Sequence, residues 1–67
     1  YRADLEAAIL KKTNLQETHL EGANFYRANI DETNFKDADL DVADFSQIRN
    51  RAEGQIEQAQ NWQRVRF

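Results

Sequence analysis

His19 is the chain's one histidine, and its imidazole is the side chain best suited to move a proton near neutral pH. Acid–base or nucleophilic catalysis needs more than that: a nucleophile or a ligand set must lie at a fixed spacing from the ring. His19 instead sits between Thr18 and Leu20 at an outward position, and it reads as a surface histidine. Asp37, Asp39, Asp41 and Asp44 resemble the opening of a calcium loop, but the turn glycine and the closing bidentate glutamate are missing, so they read as a solvated acidic face. The hydroxyls of Thr13, Thr18 and Thr33 recur in phase with small residues, which makes them core fillers bonded to nearby backbone rather than nucleophiles. These residues predict no catalytic site, no cofactor and no metal. Binding chemistry is better represented. Tyr26 beside Arg27 has the composition of an interface hot spot, and with Asp37, Asp39 and Asp41 it forms the candidate interaction surface. Arg64, Arg66 and Phe67 make a basic, aromatic end that either meets an acidic partner or frays.

Charge narrows the partner class. Residues 1–47 carry 10 Asp/Glu against 5 Lys/Arg, whereas residues 48–67 carry 4 Arg against 2 Glu, within a net charge of −3. Nucleic-acid affinity comes mainly from clustered Lys and Arg on phosphates, so an acidic body argues against it. No apolar run approaches the roughly 20 residues that span a bilayer, and no signal-peptide pattern opens the chain. A soluble protein is expected, with the cytoplasm favoured and the thylakoid lumen or periplasm compatible. Without cysteine there is no disulfide or thiolate site to staple a 67-residue domain, which by size alone is marginally stable. Tyr1-Arg2-Ala3 echoes Tyr26-Arg27-Ala28, so the chain is expected to begin partway through a repeat.

The elements that carry these residues are set by a period of five. Leu5, Leu10, Leu15, Leu20, Phe25, Ile30, Phe35, Leu40 and Phe45 fall at every fifth position. Two residues before each lies a small one: Ala3, Ala8, Thr13, Thr18, Ala23, Ala28, Thr33, Ala38 or Ala43. A helix turns about 100° per residue, so this period would walk its apolar side chains around the cylinder. In a continuous strand an odd period would throw successive apolar residues to opposite faces. A short extended unit that turns the same way after every five residues keeps them all inward. Right-angle corners then close a coil of four units, and identities at a lag of twenty (Ala3/Ala23/Ala43, Thr13/Thr33, Leu20/Leu40, Phe25/Phe45) fit that longer period. The same register puts Lys11 beneath Asp31 and Lys12 beneath Glu32 as cross-coil charge pairs.

The units Ala3-Asp4-Leu5, Thr13-Asn14-Leu15, Ala23-Asn24-Phe25 and Ala38-Asp39-Leu40 resemble the A-(D/N)-L/F-x-x motif of pentapeptide-repeat proteins. That resemblance covers residues 3–47 and implies a right-handed quadrilateral β-helix of about two coils, its core filled by the central apolar and the preceding small residues. Ile9 and His19 depart from the motif, so the corner hydrogen bonds normally made by Asn or Asp are expected to weaken there.

Residues 48–67 are expected to form a lid, following a repeat domain over 1–47. Asn50 with Glu53 approximates a capping box, and Ile56, Ala59 and Trp62 recur at helical spacing, which predicts a short C-terminal α-helix over the end of the core. The stretch from Glu53 to Trp62 also resembles the segment that closes many cyanobacterial pentapeptide-repeat proteins. At the other end Ala3, Leu5 and Leu10 lie open, which predicts stacking on preceding coils or on another chain, a homodimer among the options. The leading functional expectation is a non-catalytic protein-interaction or scaffold module. The alternative, which the family resemblance suggests, is a DNA-mimicking inhibitor of DNA gyrase or another topoisomerase acting through the acidic faces.

Overall fold

A computed structural model describes residues 2–67; Tyr1, and with it the echo of Tyr26, lies outside the described residues. The chain winds into stacked coils that touch through isolated parallel bridges. Asp4, Asn24, Asp44 and Arg66 stack on the first face; Ile9, Asn29 and Arg49 on the second; Asn14 and Asn34 on the third; His19, Asp39 and Gln60 on the fourth. Four columns recurring at a lag of twenty are the register expected from the repeat. Each bridge is confined to one wall residue because a corner follows at once, so no continuous strand develops among the described residues. Where one coil lies on another, the upper wall residue uses both of its backbone groups: Asn24 donates its N–H to Ala3 O at 2.8 Å and its C=O accepts from Leu5 N–H at 2.7 Å.

Corners are built alike. Ala8 N–H closes onto Leu5 O at 3.0 Å around Glu6 and Ala7, and Ala7 takes φ +58°, the left-handed third residue of a type II turn. Lys12, Glu17, Arg27, Glu32, Asp37, Val42 and Gln47 repeat that conformation although each carries a Cβ, and for β-branched Val42 it is a strained one. Gly22 alone among the corners meets the requirement with glycine, and a Cβ there would lie 3.2 Å from Arg2 Cγ. The strain is offset by the wall residues. Asp4, Asn14, Asn24, Asn29, Asn34, Asp39 and Asp44 each accept, through Oδ1, the N–H two residues on, at 2.9 to 3.2 Å.

Inside, Phe25, Ile30, Phe35, Leu40 and Phe45 are fully buried, and Ala23, Ala28, Ala38, Ala43 and Thr33 fill the space beside them. Phe25 and Phe45 stack at 4.5 Å between centroids, and Phe35 meets both edge-on at 6.0 and 5.6 Å. Leu20 is buried, whereas Leu5, Leu10 and Leu15 are only partly covered. Two of the three inward threonines bond backbone as expected, Thr18 Oγ1 donating to Leu15 O and Thr33 Oγ1 to Leu10 O, both at 2.6 Å, whereas the Thr13 hydroxyl makes no such bond.

Two expectations are corrected. The tail forms no α-helix among the described residues; it has two 3-10 turns, Ile56–Gln58 and Trp62–Arg64. Asn50 does not cap a helix but takes φ +64° and donates its amide to Asn29 Oδ1, and Gly54 follows at φ +78°. The physical reason is the exposed edge of the coil below, whose amide and carbonyl groups need partners. Gln60 bridges Asp39, Arg66 bridges Asp44, and Phe45 N–H reaches Arg66 O at 2.6 Å, so most of the tail is used as further rungs. Ile56 and Ala59 are buried on the core all the same, Trp62 is half-buried against it, and Val65 joins them. The second correction concerns the cross-coil lysines. Lys12 N–H donates to Asp31 O at 2.8 Å, so the register holds, but the Lys11 and Lys12 ammonium groups close no ion pair with Asp31 or Glu32. On so exposed a corner, fixing two long side chains costs about what the contact returns.

Candidate interaction surface

The fourth face carries an acidic array that borders an open depression. Its wall is the column His19, Asp39, Gln60; the corner before it holds Glu17 and Asp37, and the corner after it Glu21 and Asp41. Coil stacking fixes their spacing, because equivalent residues in neighbouring coils are held about 4.8 Å apart by the ladder. Glu17 N–H to Lys36 O at 3.0 Å and Asp37 N–H to Gln58 O at 3.1 Å tie the first corner to the coils on either side. Glu17, Thr18, His19, Asp37, Asp39 and Gln60 line a shallow open depression of about 350 Å³ on this face.

Asp39 is the most elaborately held of these acids. Its Oδ1 accepts from Asn61 Nδ2 at 2.9 Å and from Asp41 N–H at 3.1 Å, and these bonds, Asn61 first, hold its carboxyl below the usual value of 3.8. Asp44, on the neighbouring first face, is lowered likewise, chiefly by Ser46, whose side chain and N–H both bond it, with the nearby Arg66 charge adding to the effect. His19 Nδ1 lies 3.6 Å from Glu21 Oε2 across an exposed surface. No group of three or more His, Cys, Asp or Glu among the described residues has the geometry of a metal site.

The candidate residues separate. Asp37, Asp39 and Asp41 share the fourth face and its two corners, whereas Tyr26 and Arg27 occupy the corner between the first and second faces, with the first face between them and Asp41. Tyr26 is half-buried and Arg27 exposed. Asp41 is already engaged, since Arg64 Nε binds its Oδ1 at 2.9 Å. The basic end is bound into the stack. Phe67 lies over Phe45 at 6.4 Å between centroids, and the Arg51 guanidinium sits 4.4 Å from the Phe67 ring while also bridging Glu57 at 2.7 Å. Sequence reasoning missed these residues of the acidic surface: Glu17, Glu21 and Gln60. Glu17 and Glu21 were legible from the lag of twenty alone, as the residues beneath Asp37 and Asp41; Gln60 was not, because it pairs at a lag of 21 after an irregular loop.

No helix of the described residues is long and apolar enough to cross a membrane. No curated protein and no solved structure matches the chain. The family model for pentapeptide repeats matches residues 8–47 in 8 copies, most of the corner-and-wall units just described. With more than half of its residues in that match and its coils closing at the repeat's period, the chain belongs to the pentapeptide-repeat family.

Proposed function

We propose that this chain is a non-catalytic protein-interaction module, a right-handed quadrilateral coil that presents its fourth face to a basic surface of a partner protein. The observation that supports this reading most is the fixed array of Glu17, Asp37 and Asp39 around one open depression, with hydrogen bonds holding Asp39 ionised. A ladder-fixed array lowers the ordering cost of binding, because the carboxylates' backbones do not have to be organised by the partner. Repeat stacks characteristically bind through such extended surfaces. The test is an amide NMR titration with an oligo-arginine peptide as probe, on the parent and on the E17Q/D37N variant. Shifts confined to the fourth face and lost in the variant support the reading; equal shifts around Asp31 and Glu32, or turnover of a small-molecule substrate by the chain, sink it.

A DNA-mimic reading, inhibiting a topoisomerase, is favoured by the same acidic face. Magnitude weighs against it. A duplex carries one negative charge per about 1.7 Å, hence on the order of twelve over 20 Å; the chain, 20 Å in its longest dimension, has a net charge of −3. A gyrase supercoiling assay showing inhibition at micromolar chain would reverse that ranking.

A further inference from the structure

The stack has a rung missing inside it. Each inward apolar residue from Leu5 to Phe45 donates its N–H to the wall residue of the next coil, as Ile30 does to Arg49 O and Leu40 to Gln60 O, both at 3.0 Å, with the exception of Phe35. The Phe35 N–H has no hydrogen-bond partner among the described residues, and neither has the Glu32 N–H, although its equivalent, Lys12 N–H, meets Asp31 O at 2.8 Å. The gap falls on the third face, between Arg49 on the second and Gln60 on the fourth, where residues 50–57 pass without supplying a rung. Orphaned ladder donors on a covered residue are a template for an added strand.

We infer that this rung takes the free amino-terminal segment of a partner protein, added in extended form. The backbone sets its direction. All bridges of the stack are parallel, so a segment that continues the ladder repeats what Asn34 does one coil below. Asn34 gives its N–H to Thr13 O and accepts from Leu15 N–H, both at 2.9 Å; the added residue gives its N–H to Thr33 O and accepts from Phe35 N–H. Thr33 O already accepts from Gln55 Nε2 at 2.9 Å, and its second lone pair serves the segment.

Charge sets which end enters. The site is an open depression of about 420 Å³ whose lining includes the carboxylates of Glu32 and Glu53 and no basic side chain. Parallel addition starts at the Glu32 corner and runs toward Gln58, which stands the segment's α-ammonium beside both carboxylates. An antiparallel segment would bring its carboxyl end there instead. Gln58 O already takes the Asp37 N–H at 3.1 Å, so the segment is short and turns outward after the wall. Ile56, in the stretch that skips the rung, is fully buried in the core, so the inward side chains of the segment must be small. Ala52 and Glu53 on the rim are exposed parts of an irregular loop, the kind of segment that gives most readily.

Amide NMR on the 67-residue chain tests the inference, with the peptide Ala-Ser-Ala-Ser-Ala, amidated at its C-terminus, set against the same peptide acetylated at its N-terminus. Before peptide is added, the Phe35 N–H should exchange with solvent faster than those of Ile30 and Leu40. The free-amine peptide should shift the Glu32 and Phe35 amides with a Kd in the millimolar range and slow exchange at Phe35. Acetylation, or E32Q/E53Q in the chain, should weaken binding about fivefold, and the two together no further. Glu32 and Glu53 are exposed and close no ion pair among the described residues, and an unchanged urea midpoint confirms that the variant folds. The probe carries a single charge, so its failure leaves the fourth-face reading, tested with oligo-arginine, untouched. Equal binding of the acetylated peptide, shifts confined to the fourth face, or no response of Phe35 at about 10 mM peptide overturns the inference. A Phe35 shift that follows protein concentration without peptide gives the rung to a second copy and overturns it as well.

Discussion

One side-chain atom decides the quality of each corner. Asp4, Asn14, Asn24, Asn29, Asn34, Asp39 and Asp44 offer an Oδ1 to the N–H two residues on, which holds the turn while its third residue sits at positive φ. Ile9 has no acceptor to offer and buries little in exchange, being 78% exposed. Replacing Ile9 by Asn should therefore supply a bond to Lys11 N–H and stabilise the fold by about 0.5–1.5 kcal/mol, read as a higher urea midpoint with an unchanged slope. This weakness was legible in the sequence, where Ile9 breaks the wall pattern. His19, the other departure, was not equally legible: it lies against the Glu21 carboxylate, a contact that depends on how the corner turns. The strain at Val42 was also hidden, since nothing in the residue type announces a left-handed conformation at φ +52°.

At the scale of the element, the third face shows how a solenoid finishes when its sequence stops repeating. Asn14 and Asn34 have no third rung above them. Gln55 takes part of its place with a side chain: Nε2 donates to Ile30 O at 2.6 Å and to Thr33 O at 2.9 Å, while Oε1 accepts from Ala52 N–H at 2.9 Å. Gln55→Ala leaves Thr33 O without its donor on a partly buried edge, while Ile30 O keeps the Thr33 N–H at 3.0 Å, and should cost about 1–3 kcal/mol. Gln55→Glu should cost as much, since a carboxylate cannot donate to a carbonyl, and the two urea midpoints together separate lost donation from lost packing. The helical spacing of Ile56, Ala59 and Trp62 pointed to a helix because apolar spacing reports only which side chains turn inward. What it did not contain is the demand of an open ladder edge for partners, which a closed helix cannot meet and a further rung can.

Across the whole molecule, the acidic body and the basic tail are one electrostatic unit. Arg64 closes on Asp41, Arg66 stacks on Asp44, and Asn61 bonds Asp39, so the tail lies along the carboxylates it was expected to reach past. Asp39 and Asp44 are both lowered from 3.8 by these and neighbouring bonds. A carboxyl lowered on folding stabilises the fold fully above its unfolded value and loses that contribution as pH falls through the folded one. The urea midpoint should thus hold from neutral pH to about 4 and decline below it, and D39N/D44N, which keeps both side-chain acceptors without their charge, should decline less. An equal decline in parent and variant would place the acid sensitivity elsewhere.

By itself the sequence determined the coil. A period of five excludes helix and strand by geometry, the lag of twenty sets which residues stack, and the small and large inward residues name the core. It also determined that the carboxylates outnumber the bases over the repeat. Only the tertiary structure decided how the stack ends. The tail's path depends on which amides and carbonyls of the last coil are left open, on Gln55 reaching across the third face, and on Phe67 settling over Phe45. Those are long-range contacts between segments with no shared period, and a sequence pattern carries information about them only where the period persists.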